Sequence, residues 1–306
     1  MARPRYDVSV SPNGYRWWYI DALSDDGQNG LTIIGFIGSV FSPYYKRARR
    51  KGMVDPENHC AINVALYGSK RRWAMTERGA KNLSRDAKCF TLGPSAMAWE
   101  GDTLVINIDE RCMPFPFALR GTVRLKANFF YDEPVMLDQK AKHFWQAIAP
   151  DARVTVEFEN PKLSWAGSAY HDMNWGDEPL ENAFKNWTWA RATTPNGTQV
   201  IYDVNRSNGS NFQFGRRFQN GTVETRDVPM NFILRNGLWG MSRNVKSEKP
   251  PQLLRTLEDT PFYTRNHVAL TLDGHSFDAV HESLSLDRFV HPVMQLMLPF
   301  RMPMRR

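Results

Sequence analysis

From Val123 to Phe129 the chain alternates, with Val123, Leu125, Ala127 and Phe129 apolar and Arg124, Lys126 and Asn128 polar between them. Val154, Val156 and Phe158 alternate with Thr155 and Glu157 in the same way. A period of two sends neighbouring side chains to opposite faces, so both stretches predict strands with one buried and one wet face. In Trp17-Trp18-Tyr19-Ile20-Asp21 the same geometry puts Trp17, Tyr19 and Asp21 on one face and Trp18 and Ile20 on the other. Asn-Gly pairs at Asn13, Asn29, Asn196, Asn208, Asn220 and Asn236 suit type I′ hairpin turns, because both central positions accept positive φ. The pattern predicts an all-β chain dominated by antiparallel sheet. Helices are expected only over Pro134 to Ala149 and Val290 to Leu298. A hinge at Ile148-Ala149-Pro150-Asp151 separates two sets of strands, residues 1–149 and 150–306. No repeat of 20 to 50 residues is visible, and two closed or nearly closed antiparallel barrels bury that many aromatic strands without leaving open edges.

The chain's 306 residues, 42% hydrophobic and 12% aromatic, support a full core and exclude a disordered protein. Cys60, Cys89 and Cys112 are far apart and form no CxxC, so neither a disulfide framework nor a zinc site is expected, and a reducing compartment fits. The start has no apolar signal region, and the run from Leu31 to Phe41 is broken by Gly35, Gly38 and Ser39, too short to span a bilayer. A cytoplasmic protein is expected. The net charge of +7 is concentrated at Lys46, Arg47, Arg49, Arg50 and Lys51 and at Arg301, Arg305 and Arg306. Both clusters adjoin apolar residues, Phe41, Tyr44 and Tyr45 in one case and Leu296, Met297, Leu298 and Phe300 in the other. That blend fits an anionic membrane surface, against the plainer reading of a solvated basic face. No helix-turn-helix, zinc-finger or RNP-like pattern supports nucleic acid.

Residues 164–182 gather His171, the carboxylates Asp172, Asp177, Glu178 and Glu181, Trp165, Trp175, Gly167 and Gly176 with neither helical period nor strand alternation. Such a segment is a candidate site. Asp21, beside Trp17 and Tyr19, is a candidate acid if its face lines a cavity, and otherwise a cap for the turn at Ser24 to Gly27. In the strand Thr198 to Val204, pleating sends Tyr202 and Asp203 to opposite faces unless a bulge intervenes, and Trp187 and Trp189 could wall the same space. His171 and Asp172 act together only if they share a partner. No Gly-x-Ser-x-Gly, phosphate loop, HExxH or kinase pattern occurs, which leaves acid chemistry on an apolar molecule.

Five blocks carry a family resemblance: Trp17 to Arg50, SAYHDMNWGDEPLE from Ser168, RTLEDTPFYTR from Arg255, HESLSLDRF from His281 and MLPFRMPMRR from Met297. Together they resemble the carotenoid 1,2-hydratases, or hydroxyneurosporene synthases, of phototrophic bacteria. The resemblance implies tandem lipocalin-like β-barrels and addition of water across the terminal 1,2 double bond of an acyclic carotenoid such as neurosporene or lycopene. It implies no cofactor and no metal. The partners implied are the carotenoid, water and the surface of the photosynthetic inner membrane. It carries the acid to Asp203, with Tyr202 as its hydrogen-bonding neighbour, and makes His171 a water positioner and Trp175 a wall facing the cation. Where relatives often have a second histidine, this chain has Met173. The expected site is therefore Asp203, Tyr202, His171 and Asp172 for catalysis, with Trp17, Tyr19, Asp21, Trp175, Trp187 and Trp189 around the substrate. A proton-initiated terpenoid cyclase and a non-catalytic carotenoid carrier are the competing readings.

Overall fold

In the computed structural model, which describes residues 4–305, the alternating stretches are strands and the chain divides into two units. The first comprises residues up to Pro179 together with those from Leu296, and the second is Leu180–Gln295. In the first unit the strands are β1 (Tyr15–Ser24), β2 (Gly30–Ile37), β3 (Cys60–Tyr67), β4 (Arg72–Arg78), β5 (Leu83–Arg85), β6 (Cys89–Leu92), β7 (Ser95–Glu100), β8 (Thr103–Arg111), β9 (Ala118–Ala127), β10 (Val135–Met136), β11 (His143–Asn160) and β12 (Leu163–Gly176). Helix α1 (Pro43–Arg49) starts at Ser42, whose hydroxyl accepts from the Tyr45 N–H. The second unit holds α2 (Leu180–Ala183), β13 (Phe184–Thr194), β14 (Gly197–Arg206), β15 (Asn211–Gln219), β16 (Thr222–Arg226), β17 (Asn231–Leu234), β18 (Arg243–Lys246), β19 (Gln252–Asp259), β20 (Tyr263–Leu272), β21 (His275–Ser285) and α3 (Leu286–Phe289). Helix α4 (Pro292–Arg301) returns the chain to the first unit, where β22 (Met304–Arg305) pairs with β4.

The first sheet runs β22-β4-β3-β2-β1-β12-β11-β9-β8-β7-β6-β5, with β10 on β11. It curls over a single core. A Cβ built on Gly35 of β2 would lie 2.9 Å from Met97 Sδ of β7, although five strands separate the two in the sheet. Trp18, Ile20, Ile33, Ile62, Phe90, Leu104 and Val154 fill the inside. The edge strands β22 and β5 are not paired with each other among the described residues, so the sheet is a curled open one. The second unit's sheet, β16-β15-β14-β13-β21-β20-β19, and the hairpin β17-β18 enclose Ala192, Ile201, Val245, Val268 and Leu270. Asn220 and Gly221 take φ of 49° and 80° in the two-residue turn between β15 and β16, as the Asn-Gly pair predicts.

Three expectations differ from the structure. Pro134 to Ala149 is β10 and the start of β11, not a helix, and the expected hinge at 148–151 lies inside β11. There the pairing with β12 shifts register between Ala147 and Ala152, but the strand continues, and its long hairpin with β12 keeps both sides of residue 149 in one sheet. The boundary between units falls after Pro179. The segment expected as an irregular knot is mostly strand β12. Its stretch from Ala169 to Asn174 is buried on both faces, which removes the polar alternation that marks a half-wet strand.

Candidate active site

Residues directly opposed in an antiparallel pair point to the same face of the sheet. On β12, Tyr170, Asp172 and Asn174 share a face, and β1 places Asp21, Tyr19 and Trp17 opposite them in that order. On the other side β11 sets Ala147 opposite Asp172 and Trp145 opposite Asn174. Three strands thus bring Trp17, Tyr19, Asp21, Trp145, Tyr170 and Asp172 together, all buried. This is the sheet face turned away from the first core.

The Asp172 carboxyl is the polar centre of that face. Trp145 Nε1–H donates to its Oδ2 at 2.7 Å and the Tyr170 hydroxyl donates to the same oxygen at 2.8 Å. Asp21 is one diagonal step away across the β1–β12 pair and is fully buried. Around the carboxyls stands an aromatic wall: Tyr15 stacks on Trp17 at 4.9 Å, Trp17 meets Phe36 at 6.1 Å, and Tyr19 meets Tyr170 edge-on at 6.3 Å. At the end of the same face, His143 Nδ1 bonds the Tyr15 hydroxyl at 2.9 Å. Burial pushes the His143 pKa below its ordinary value, although Asp138 and Glu178 oppose the shift. Such a face can hand a proton to an apolar molecule and hold the resulting cation against ring faces. Among the described residues no group of three or more His, Cys, Asp or Glu is arranged to hold a metal ion.

Of the residues expected from sequence, Trp17, Tyr19, Asp21 and Asp172 are assembled here. Asp21 sits inside β1, and the following turn is tied instead by Asp26, which accepts from the Gln28 N–H at 2.9 Å. His171 is not a partner of Asp172. Pleating turns its ring into the first core beside Trp99, 5.9 Å away, and its Nδ1 meets the Tyr19 carbonyl at 2.9 Å. Burial pushes its pKa down to about 4, so it is neutral. Trp175 and Met173 share that core-facing side, with Arg16 packed on the Trp175 ring at 5.0 Å and donating to Met173 Sδ at 3.7 Å.

Asp203, Tyr202, Trp187 and Trp189 belong to the second unit. Tyr202 opposes Trp189 and stacks on Phe214 at 5.4 Å, while Trp187 opposes Val204. Asp203 points to the other side of β14, where Lys246 Nζ lies 2.9 Å from its Oδ2 and Asn211 Nδ2 donates to its Oδ1 at 2.6 Å. The Tyr202–Asp203 hydrogen bond implied by the resemblance is therefore not formed, because β14 is regular and no bulge brings the two side chains to one face. Sequence reasoning missed Trp145 and Tyr170. The signal for Tyr170 was its position two residues before Asp172, but the strand had not been recognised; Trp145 lay in the stretch expected to be helical.

The family model for the carotenoid hydratase CrtC matches residues 33–306. The chain belongs to the carotenoid hydratase family. Two relatives in this family are acyclic carotenoid 1,2-hydratases: that of Thiocapsa roseopersicina is 49% identical over 305 residues, 98% of this chain and 75% of the relative. The hydratase of Rubrivivax gelatinosus is 43% identical over 309 residues, 99% of this chain and 76% of the relative. In fold, the carotenoid hydratase chain is similar to a crystal structure of an AttH-like protein from Nitrosomonas europaea. The TM-score is 0.63 at 15% identity, with 93% of this chain and 99% of that one covered.

Proposed function

We propose that this protein adds water across the terminal 1,2 double bond of an acyclic carotenoid, with Asp172 as the proton donor. The observation that carries the reading is the Asp172 carboxyl, buried and bonded by Trp145 and Tyr170 within an aromatic face that also holds Asp21. Asp172 acts from its protonated form, with Asp21 as the second carboxyl of the same face, one diagonal step away across the β1–β12 pair. Asp172 gives its proton to C2 of the alkene. A tertiary cation forms at C1, where the ring faces of Trp17, Tyr19 and Tyr170 stabilise it. The two donors stabilise the carboxylate left behind. Water then attacks C1, and its surplus proton returns to Asp172, leaving a tertiary alcohol and the enzyme unchanged. No electrons are transferred, so the reaction calls for no redox cofactor.

The acid role is proposed for Asp172 in preference to Asp203. The Asp203 carboxyl lies on the opposite side of β14 from Tyr202 and is held there by Lys246 Nζ at 2.9 Å and Asn211 Nδ2 at 2.6 Å, not among aromatic rings. A polyene hydrocarbon dissolves in the bilayer, and the protein is proposed to work at the surface of the membrane that holds it. The test is purified protein with lycopene in detergent. The expected product gains one or two waters, carries deuterium at C2 when made in deuterium oxide, and disappears with Asp172→Asn while the circular dichroism spectrum stays native. An unchanged mass with a shifted bound-pigment spectrum indicates a carrier, an isomer of unchanged mass a cyclase, and activity in Asp172→Asn overturns the assignment of the acid.

A further inference from the structure

We infer that the first unit carries a docking surface for an anionic lipid bilayer, built from the last turns of α4 and the β8–β9 loop. This rests on the reading of the substrate as a bilayer-dissolved hydrocarbon, and it names the surface that meets the bilayer. Leu296 and Phe300 are one turn apart on α4, and Phe115 and Phe117 lie in the loop between β8 and β9. All four are between 58% and 74% exposed, an unusual display for large apolar side chains on a soluble surface.

Two arginines tie these elements to β4. Arg301 on α4 packs over the Trp73 ring at 4.4 Å, and Arg72, the residue before it on β4, packs over the Phe117 ring at 5.3 Å. Each guanidinium is held beside an aromatic ring, so charge and apolar surface are presented together. This is the arrangement of an interfacial helix, whose rings enter the acyl boundary while arginines meet headgroups. The contributing segments, residues 68–76, 111–131 and 288–306, contain no aspartate or glutamate. Basic residues without acidic ones, on a chain whose overall net charge is +7, make the patch complementary to anionic headgroups and repellent to its own image on a second copy. No helix among the described residues is long and apolar enough to cross a membrane.

The experiment is co-sedimentation with vesicles of phosphatidylglycerol and phosphatidylcholine at low and high salt, alongside sedimentation velocity without lipid. The unmodified protein should bind anionic vesicles, bind pure phosphatidylcholine weakly, and leave in high salt. Leu296→Glu with Phe300→Glu should lower vesicle partitioning at least tenfold, and Arg72→Gln with Arg301→Gln should remove most of the salt dependence. Ile233→Glu, at an equally exposed apolar position in the second unit, should change neither. Turnover of lycopene in detergent should be the same in the double Glu variant, whereas turnover of lycopene in vesicles should fall with binding. Equal loss in Ile233→Glu, no vesicle binding by the unmodified protein, or a dimer that the double Glu variant dissolves while vesicle binding persists would each overturn the inference. If detergent turnover is absent in every form, the functional reading fails, while the vesicle result still stands alone.

Discussion

Replacing Tyr170 with Phe removes one hydroxyl from the site and keeps the ring that meets Tyr19 at 6.3 Å. The lost contact is the 2.8 Å donation to Asp172 Oδ2, leaving Trp145 Nε1–H at 2.7 Å on that oxygen. A hydrogen bond to a charged acceptor is worth about 1.5–3 kcal/mol. It favours the carboxylate, so its removal raises the carboxyl pKa. If about half of that energy is felt in the transition state for proton transfer, the chemical step slows about three- to tenfold. The high-pH limb of the kcat/KM profile should move up, because the weaker acid keeps its proton longer. The assay is turnover of lycopene in detergent from pH 5 to 10, with product separated by reversed-phase chromatography, and repeated in deuterium oxide to show that proton transfer limits the rate. A rate within twofold of the unmodified protein together with an unmoved limb, while Asp172→Asn is inactive, would refute the role given to the Tyr170 hydroxyl. A limb that moves down would refute the direction of the argument.

Asp203→Asn should cost stability through loss of the Lys246 ion pair but retain most turnover, which a side-by-side assay with Asp172→Asn checks. His171 and His281 are both pushed down to about 4 by burial, so below pH 6.5 the unfolded chain takes up protons that the folded chain refuses. Stability should therefore fall as pH drops from 6.5 to 4, by up to about 3 kcal/mol for each histidine. Urea midpoints at pH 7 and 4.5 measure the loss, and His171→Gln should reduce it. Gly176→Ala should destabilise by about 1–3 kcal/mol, since its Cβ would come within 2.7 Å of His143 Nδ1 and Tyr15 Cε1 at the end of the acid face. A thermal midpoint unchanged in Gly176→Ala would show that this corner is looser than the structure indicates.

Local pattern determined much of this protein. Alternation at 123–129 and 154–158 marks β9 and β11, and the pleat of residues 17–21 by itself puts Trp17, Tyr19 and Asp21 on one face. That geometry depends only on the two-residue period of a strand, which is why it was legible. The family was legible too, in blocks spread over most of the chain. The acid was not. Asp203 and Asp172 are both carboxylates in apolar sequence, and what separates them is a lysine 43 positions further along for one and a tryptophan 27 positions back for the other. Such partners are set by strand register across a sheet, which no local window contains. Burial on both faces erased the polar alternation of β12, so the strand holding Tyr170 and Asp172 was one the pattern hid. Only the folded sheet, by placing β12 between β1 and β11, decided which aspartate meets Trp145 and Tyr170 and which histidine is turned into the core.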